Sequence, residues 1–202
     1  ALLSVLTGDA SYCTWAIAEV DAFVTAEEAL IGSGMRPEVA FDSYLYVGDH
    51  IGTLALVYDW CASAVTTTQR DRWVAYANQA VWNVWNPDAA EWGGVSQTWS
   101  GWSITNPVNN YYYSFLEATM LLGLATWGES ADADGWLVQF RSAKIDAELV
   151  PTFERDLVGG GSREGTGYGT AMRNLFVLYD WWEATTGERV ADRTAHTRAS
   201  LP

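Results

Sequence analysis

Two asparagines stand where an apolar helix is predicted to begin, in the segment NPVNNYYYSFLEATMLLGLATWG. A helix amino terminus presents unpaired backbone N–H groups and the positive end of the helix dipole. Side-chain amides add neutral hydrogen-bond donors at the same place. Asn109 and Asn110 can therefore hold a carboxylate without a strong positive charge. The alternative is that one of them caps the helix and the other belongs to a turn.

Three tyrosines follow these asparagines, and they cannot all point the same way, because successive helical residues turn by about 100°. One or two of Tyr111, Tyr112 and Tyr113 can face a cleft together with Asn110, and the others must pack. Tyr113 lies one turn after Asn109, so these two share a helix face. We predict that both contact a ligand.

A second group of candidates lies in the glycine-rich segment LVGGGSREGTGYG. Glycines let a backbone approach a substrate closely, although any helix connection can also use them for flexibility. A tyrosine has a pKa of about 10, which a neighbouring cation lowers. Tyr168 can thus act as a base beside Arg163, or it can simply pack at a helix start. Glu164 is expected to pair with Arg163 or to cap backbone N–H groups.

The remaining candidates are a histidine, two tryptophans and an arginine. His50 stands at the entrance of an apolar helix, where it either faces the same cavity or is solvated, whereas His196 lies in the polar tail. Trp99 and Trp102, in the long loop EWGGVSQTWSGWSITNP, are candidates for stacking on sugar rings. Arg173 follows Tyr168 on the last apolar helix and is a further substrate contact.

Composition narrows the possible partners. The net charge of −14 argues against nucleic acid, whose binding depends on Lys and Arg contacts to phosphate. Twelve tryptophans and ten tyrosines are typical either of carbohydrate clefts or of aromatic packing between helices. The two cysteines, Cys13 and Cys61, form either one disulfide or two buried thiols. No apolar run is long enough to span a membrane, and no metal or cofactor motif is present.

Apolar spacing predicts an all-α chain of six helices, with poor strand signals. In chain order, the predicted helices cover residues 11–31, 47–65, from a threonine cap at Thr67 or Thr68 to about 86, 108–127, 132–150, and about 170 to 186. The second, fourth and sixth are apolar all round, which is typical of inner helices. The others have charged faces, which is typical of outer ones.

The apolar helices also end alike, in ALVYDWCASAVT, LLGLATWGES and FVLYDWWEATTG. This repeat predicts outer–inner hairpins of about 60 residues that stack on one another. Residues 1–202 are therefore expected to form a single domain, an incomplete (α/α) toroid. Three hairpins do not close a ring, so we expect the rest of a longer protein or an oligomer partner to close it.

Three segments together carry a resemblance: ALVYDW…TTTQRDRW, NPVNNYYYSFLEATMLLGLATWG and GGGSREGTGYGTAMRNLFVLYDWW. They resemble the (α/α) toroid domain of heparinase II/III-like and alginate-lyase-like polysaccharide lyases. The resemblance extends over most of the chain, residues 44–187. It implies β-elimination on a uronic-acid polysaccharide, and a C-terminal β-sandwich domain that this sequence does not contain. It also implies a secreted or periplasmic protein, because such polymers are degraded outside the cytoplasm.

The resemblance implies specific roles for the candidate residues. Asn110, or Asn109 in the alternative register, neutralises the C5 carboxylate, and a tyrosine at or near Tyr168 transfers the proton. Many members of the family have a histidine after the asparagine, where this chain has Tyr111. The base is therefore Tyr168, Tyr111 or His50, with Arg163 assisting.

Three other interpretations remain open at this stage. A glycoside hydrolase on the same toroid needs two carboxylates, for which Asp49, Glu117, Glu164 and Asp180 are available. A non-catalytic carbohydrate-binding domain would keep the aromatic residues alone. A terpene-cyclase-type toroid would need an Asp-rich motif, which ADADG matches poorly. Heparan sulfate, alginate, ulvan, glucuronan and hyaluronan all remain possible substrates.

Overall fold

The computed structural model describes residues 1–165 and 169–200, and the described chain is 70% helix and 2% strand, as the all-α prediction requires. Within these residues nine α-helices follow one another, with short 3₁₀ turns at Glu38–Tyr44, Pro87–Ala89 and Val190–Arg193. The helices are α1 Leu2–Thr7, α2 Ser11–Gly32, α3 Val47–Trp60, α4 Thr67–Trp85, α5 Asn110–Ala125, α6 Ala133–Val138, α7 Val150–Asp156, α8 Gly169–Thr186 and α9 His196–Ser200. A π-helical segment, Gln139–Leu149, joins α6 to α7 into one long helix.

Helix α5 packs against α3, α4, α6 and α8. It is mostly apolar and most of its residues are buried, as expected of a helix that is covered on several sides. Gly48 and Gly52 of α3 approach Ser114 and Leu121 of α5, so the two helices run parallel. Helices α3, α5 and α8 are the three helices that the sequence predicted to be apolar, and α5 packs against both of the others.

The helices with charged faces contact α3 and α5. Helix α2 contacts α3 and α4, α4 contacts α5, and α6 covers the other side of α5. Cys13 of α2 and Cys61, at the end of α3, form a disulfide, which settles the alternative that the sequence left open. No helix in residues 1–165 or 169–200 is long and apolar enough to cross a bilayer.

Helix boundaries agree with the predicted ones to within about two residues in most places. The fifth helix, predicted to end at residue 150, continues through the π-helical segment and α7 to Asp156. Two other differences have local causes. Helix α3 ends at Trp60 rather than at residue 65, where the chain turns at the disulfide. The cap of α4 is Thr66, not Thr67 or Thr68, because Thr66 and Gln69 form a reciprocal capping box.

The long loop before α5 is ordered by side chains rather than by secondary structure. Its one hairpin pairs β1, Glu91–Trp92, with β2, Val95–Ser96, across Gly93 and Gly94. The buried Asn83 of α4 receives the backbone N–H of Glu91 and donates to its carbonyl. The indole of Trp99 donates to the Asn83 carbonyl at 3.0 Å. These bonds hold the loop against α4.

Helix α9 packs against the glycine-rich segment. His196, which the sequence placed in a polar tail, is fully buried against Phe153, and its Nε2 lies 2.9 Å from the Gly161 carbonyl. Gly160 passes so close to Ala199 that an added Cβ would lie 2.6 Å from its backbone. The residues next to His196 in the sequence are polar and gave no sign of this contact, because the burial of His196 depends on residues distant in the sequence.

Candidate functional site

The entrance of α5 holds a carboxylate, and that carboxylate belongs to the protein itself. Asn109 caps the helix, its side-chain oxygen accepting the Tyr111 N–H at 3.1 Å. The Asn109 amide donates to Glu164 Oε1 and the backbone N–H of Asn110 donates to Glu164 Oε2, both at 2.8 Å. Burial raises the pKa of Glu164, and the bond from the Asn110 N–H opposes that rise. Glu164 thus has the predicted capping role.

The side chain of Asn110 is left available by this arrangement. Its backbone is held by Glu164, whereas its side-chain amide makes no hydrogen bond to any residue that the structure describes. Asn110 is half-buried and lies one turn before Ser114, on the strip of α5 that faces Gly48 and Gly52 of α3. Asn110 is therefore placed to receive a ligand, whereas Asn109 is fully used as a cap.

The three tyrosines divide as their 100° spacing requires. Tyr111 is half-buried and its hydroxyl donates to Asp42 Oδ1 at 3.1 Å. Tyr112 and Tyr113 are completely buried, with hydroxyls that donate to Lys144 and Pro107 carbonyls. Burial raises the pKa of both well above its usual value. Tyr113 is therefore a core residue, contrary to the predicted substrate contact, because its face of α5 packs towards α8 rather than a cleft.

His50 does not face the α5 strip. It follows Gly48, which touches α5, by two residues, so it points about 200° away around α3. Its ring stacks on Phe23 of α2 at 4.9 Å between centroids. His50 lies in a separate groove of about 230 Å³ between α2 and α3, with Glu19 and Asp49 on its walls. The structure thus separates His50 from Asn110, which the sequence prediction had joined.

The charged residues of the glycine-rich segment and of α8 are placed differently from expectation. Arg163 is exposed and lies 3.5 Å from Asp156 Oδ1, so its partner is Asp156 and not Glu164. Arg173 is exposed on α8. Tyr168, the predicted base, lies outside the described residues.

The two loop tryptophans have different surroundings. Trp99 is partly buried, with its ring 5.0 Å from Tyr44 and 6.1 Å from Phe115 between centroids. Its packing and its bond to Asn83 explain it as part of the loop's anchor, and they leave little of the ring for a sugar. Trp102 is 56% exposed and keeps a free surface for stacking.

A carboxyl group that the sequence offered only to a hydrolase, that of Glu117, lies on the same strip of α5. Glu117 follows Asn110 by seven residues, close to two full turns, so both lie on one face of the helix. Its side chain fills the space left by two glycines of α3. A Cβ at Gly48 would lie 3.1 Å from Glu117 Oε2, and one at Gly52 would lie 3.4 Å from Oε1. The seven-residue spacing between Asn110 and Glu117 was the sequence signal that could have placed them on one face.

The environment of Glu117 favours its protonated form. Burial, and secondarily the negative charge of Asp49, raises the pKa of Glu117 to about 7. Its carboxyl makes no hydrogen bond or ion pair within the described part of the chain. A carboxyl that titrates near neutral pH can both accept and donate a proton, which is the property of a general acid–base group.

Aromatic rings lie at the other end of the strip. Trp60 of α3 and Trp181 of α8 stack on each other, with centroids 5.6 Å apart and planes 9° apart. They line a cavity of about 180 Å³ together with Leu124 of α5. Glu117 lies two turns before Leu124, and Asn110 two turns before Glu117. The strip therefore runs from an amide through a carboxyl to an aromatic pair.

The backbone is unusual where this strip begins. Asp42, Ser43 and Tyr44, just before α3, have φ values of 43°, 54° and 65°. Left-handed conformations cost non-glycine residues roughly 1–3 kcal/mol each in sparsely populated regions, and they cluster at functional sites. Asp42 also receives the Tyr111 hydroxyl. The turn thus connects the entrances of α3 and α5.

Residues 1–165 and 169–200 contain no cluster of three or more His, Cys, Asp or Glu side chains suited to a metal ion. The strip itself offers amide, carboxyl and aromatic groups. Such a set can bind a sugar acid and move a proton. Comparisons with protein-family models, with curated proteins and with solved structures find no match to this chain.

Proposed function

We propose that this protein is a polysaccharide lyase that cleaves a uronic-acid polysaccharide by β-elimination on an incomplete (α/α) toroid. The observation that carries the proposal is the entrance of α5, where Glu164 fixes the backbone of Asn110 and leaves its side-chain amide available. The reaction needs the substrate carboxylate to be neutralised, so that the proton on the adjacent carbon becomes acidic. A neutral amide beside a helix amino terminus provides such a group.

The other parts of the strip fit a polymeric substrate. The Trp60–Trp181 pair and the exposed Trp102 offer apolar faces of the kind on which sugar rings stack. Arg173, exposed on α8, supplies a positive charge for an acidic chain, and Arg163 supplies another from the glycine-rich segment. The resemblance implies Tyr168 as a candidate for proton transfer, and Tyr111 lies next to Asn110 in the first turn of α5.

The disulfide supports the proposed location. Disulfides persist in oxidising compartments, such as the periplasm and the extracellular space, and are rare in the cytosol. The bond between Cys13 and Cys61 joins α2 to the end of α3. A secreted or periplasmic protein is also where a polymer too large to enter the cell would be degraded.

A glycoside hydrolase is the second candidate, and one observation favours it. Burial raises the pKa of Glu117 to about 7, and the charge of Asp49 on α3 contributes to that rise. Hydrolases use such a pair, with one carboxyl as acid and the other as base or nucleophile. The product distinguishes the two reactions.

The test is ultraviolet absorbance during incubation with a panel of uronate polysaccharides. β-Elimination leaves a double bond conjugated to the carboxylate, which absorbs near 235 nm, whereas hydrolysis releases reducing ends without that absorbance. We expect Asn110→Ala to lower kcat/KM by about 10²–10³-fold, the usual loss of one preorganised donor. Tyr168→Phe should also lower it.

Asn106→Ala is the matched control, because Asn106 is exposed and lies four residues before Asn110. It should leave the rate unchanged. Reducing ends without absorbance would instead support the hydrolase. Binding without any cleavage would indicate a carbohydrate-binding domain.

A further inference from the structure

We propose that Glu117 is the proton-transferring group of this site and acts on a uronate whose carboxylate is bound by Asn110. The inference rests on the proposed lyase function and adds to it a catalytic residue. Of the predicted bases, His50 faces a different groove, the Tyr111 hydroxyl donates to Asp42, and Tyr168 lies outside the described residues. Glu117 is the acid–base side chain that shares a helix face with Asn110.

The spacing of the two side chains suits one sugar residue. Seven residues correspond to about 10 Å along a helix axis. Helical side chains lean towards the amino terminus, so the longer Glu117 side chain extends towards Asn110 and shortens that gap. A uronate whose carboxylate is held by the Asn110 amide can then present its C5 proton towards Glu117.

The two glycines of α3 show that the position of Glu117 is built into the fold. Any side chain at Gly48 would meet the Ser114 backbone oxygen at 2.9 Å as well as the Glu117 carboxyl. The absence of side chains at Gly48 and Gly52 lets α3 lie close to α5 with the carboxyl between them. Glu117 is consequently held in one place, as proton transfer to a defined atom requires.

The charges around Glu117 explain why it can change protonation state near neutral pH. Asp49 is the charged group of α3 that acts on it, and it raises the pKa of Glu117 in the same direction as burial. Arg173 and Asp180 of α8 are exposed. Glu164, at the entrance of α5, is already occupied by Asn109 and Asn110.

The proposed step balances without a further reactant. The Glu117 carboxylate takes the proton from C5, and the C5–H electron pair forms the C4–C5 double bond. The C4–O4 bond breaks, and its electron pair leaves with the glycosidic oxygen. That oxygen takes the proton back from the Glu117 carboxylic acid. Glu117 ends the cycle ionised, as it began.

The test is the pH dependence of the 235 nm rate in the wild type, in Glu117→Gln and in Glu117→Asp. We expect wild-type kcat/KM to rise with pH through about pH 7, where Glu117 becomes ionised. Glu117→Gln should lower kcat by about 10²–10⁴-fold with little change in KM, the usual contribution of a general base. Glu117→Asp should restore part of the rate.

Glu154→Gln is the control, because Glu154 is an exposed glutamate on α7. It should keep the wild-type rate and pH profile. Full activity of Glu117→Gln would overturn the role of Glu117 and leave the lyase standing. If Glu117→Gln does not fold, a wild-type profile that is flat between pH 6 and about 8 overturns the role equally. Failure of the wild type to cleave any polymer would refute the lyase, and the role of Glu117 with it.

Discussion

Glu117→Gln should make the protein more stable in alkaline solution, independently of any activity. Glutamine has nearly the same shape as glutamate but never carries a charge, so the substitution removes the cost of ionising Glu117 in its slot. The pKa of Glu117 is about 7 in the folded protein, compared with an ordinary value of 4.5. Between these values the folded state binds more protons than the unfolded state, so wild-type stability falls as the pH rises.

The magnitude follows from that difference. Each pH unit between the two pKa values corresponds to about 1.4 kcal/mol. Full ionisation of Glu117 therefore costs roughly 3 kcal/mol of folding free energy above pH 8, and nothing below about pH 4.5. Because Asp49 contributes to the raised pKa, part of this cost is screened by salt.

The assay is urea unfolding of the wild type and of Glu117→Gln at several pH values from 5 to about 8.5. We expect the two free energies of unfolding to be similar at the acid end, and the variant to gain as the pH rises. Glu154→Gln, on the exposed side of α7, should run parallel to the wild type throughout. A constant difference between wild type and Glu117→Gln across this range would refute the raised pKa.

Three further substitutions test the scaffold. Replacing Cys13 and Cys61 by alanine should lower the free energy of unfolding by about 4 kcal/mol, the value that chain entropy gives for a loop of this length; urea unfolding with and without reductant measures it. Glu27→Ala should cost about 3 kcal/mol in the same assay, because this buried carboxylate accepts two backbone N–H groups and a tyrosine hydroxyl. Gly160→Ala should lower Tm more than Gly161→Ala, because both have positive φ but only Gly160 meets a neighbouring backbone.

Each of these has an outcome that contradicts it. Equal stability of the cysteine variant and the oxidised wild type would mean that the disulfide does not constrain the unfolded chain. A mild effect of Glu27→Ala would mean that water replaces the carboxylate. Equal melting temperatures for the two glycine variants would remove the contact between the glycine-rich segment and α9.

Much of the fold was predictable because helix formation is governed by local sequence. The apolar periodicity placed α2, α5 and α8 close to their observed limits. Thr66 was missed as the cap of α4, because any of three consecutive threonines could cap the helix. Only the reciprocal hydrogen bonds with Gln69 show that the cap is Thr66.

The site was predicted less completely, because it depends on contacts between distant segments. Asn109 and Asn110 were expected to hold the carboxylate of a substrate, and the sequence did not show that Glu164, more than fifty residues later, binds the Asn109 amide and the Asn110 backbone N–H. Likewise, the local sequence did not show that Tyr113 is buried and Tyr111 is partly exposed. Their exposure differs because α8 and the loop before α5 cover one of the two helix faces.

The sequence by itself determined the helical class, the division into apolar and amphipathic helices and the donors at the entrance of α5, since periodicity and residue type are local properties. The tertiary structure decided which groups meet. It paired Cys13 with Cys61, turned His50 away from α5 and enclosed Glu117 between two helices. The pKa of a carboxyl depends on what surrounds it in space, so the chemistry of Glu117 emerges only when α3 packs against α5.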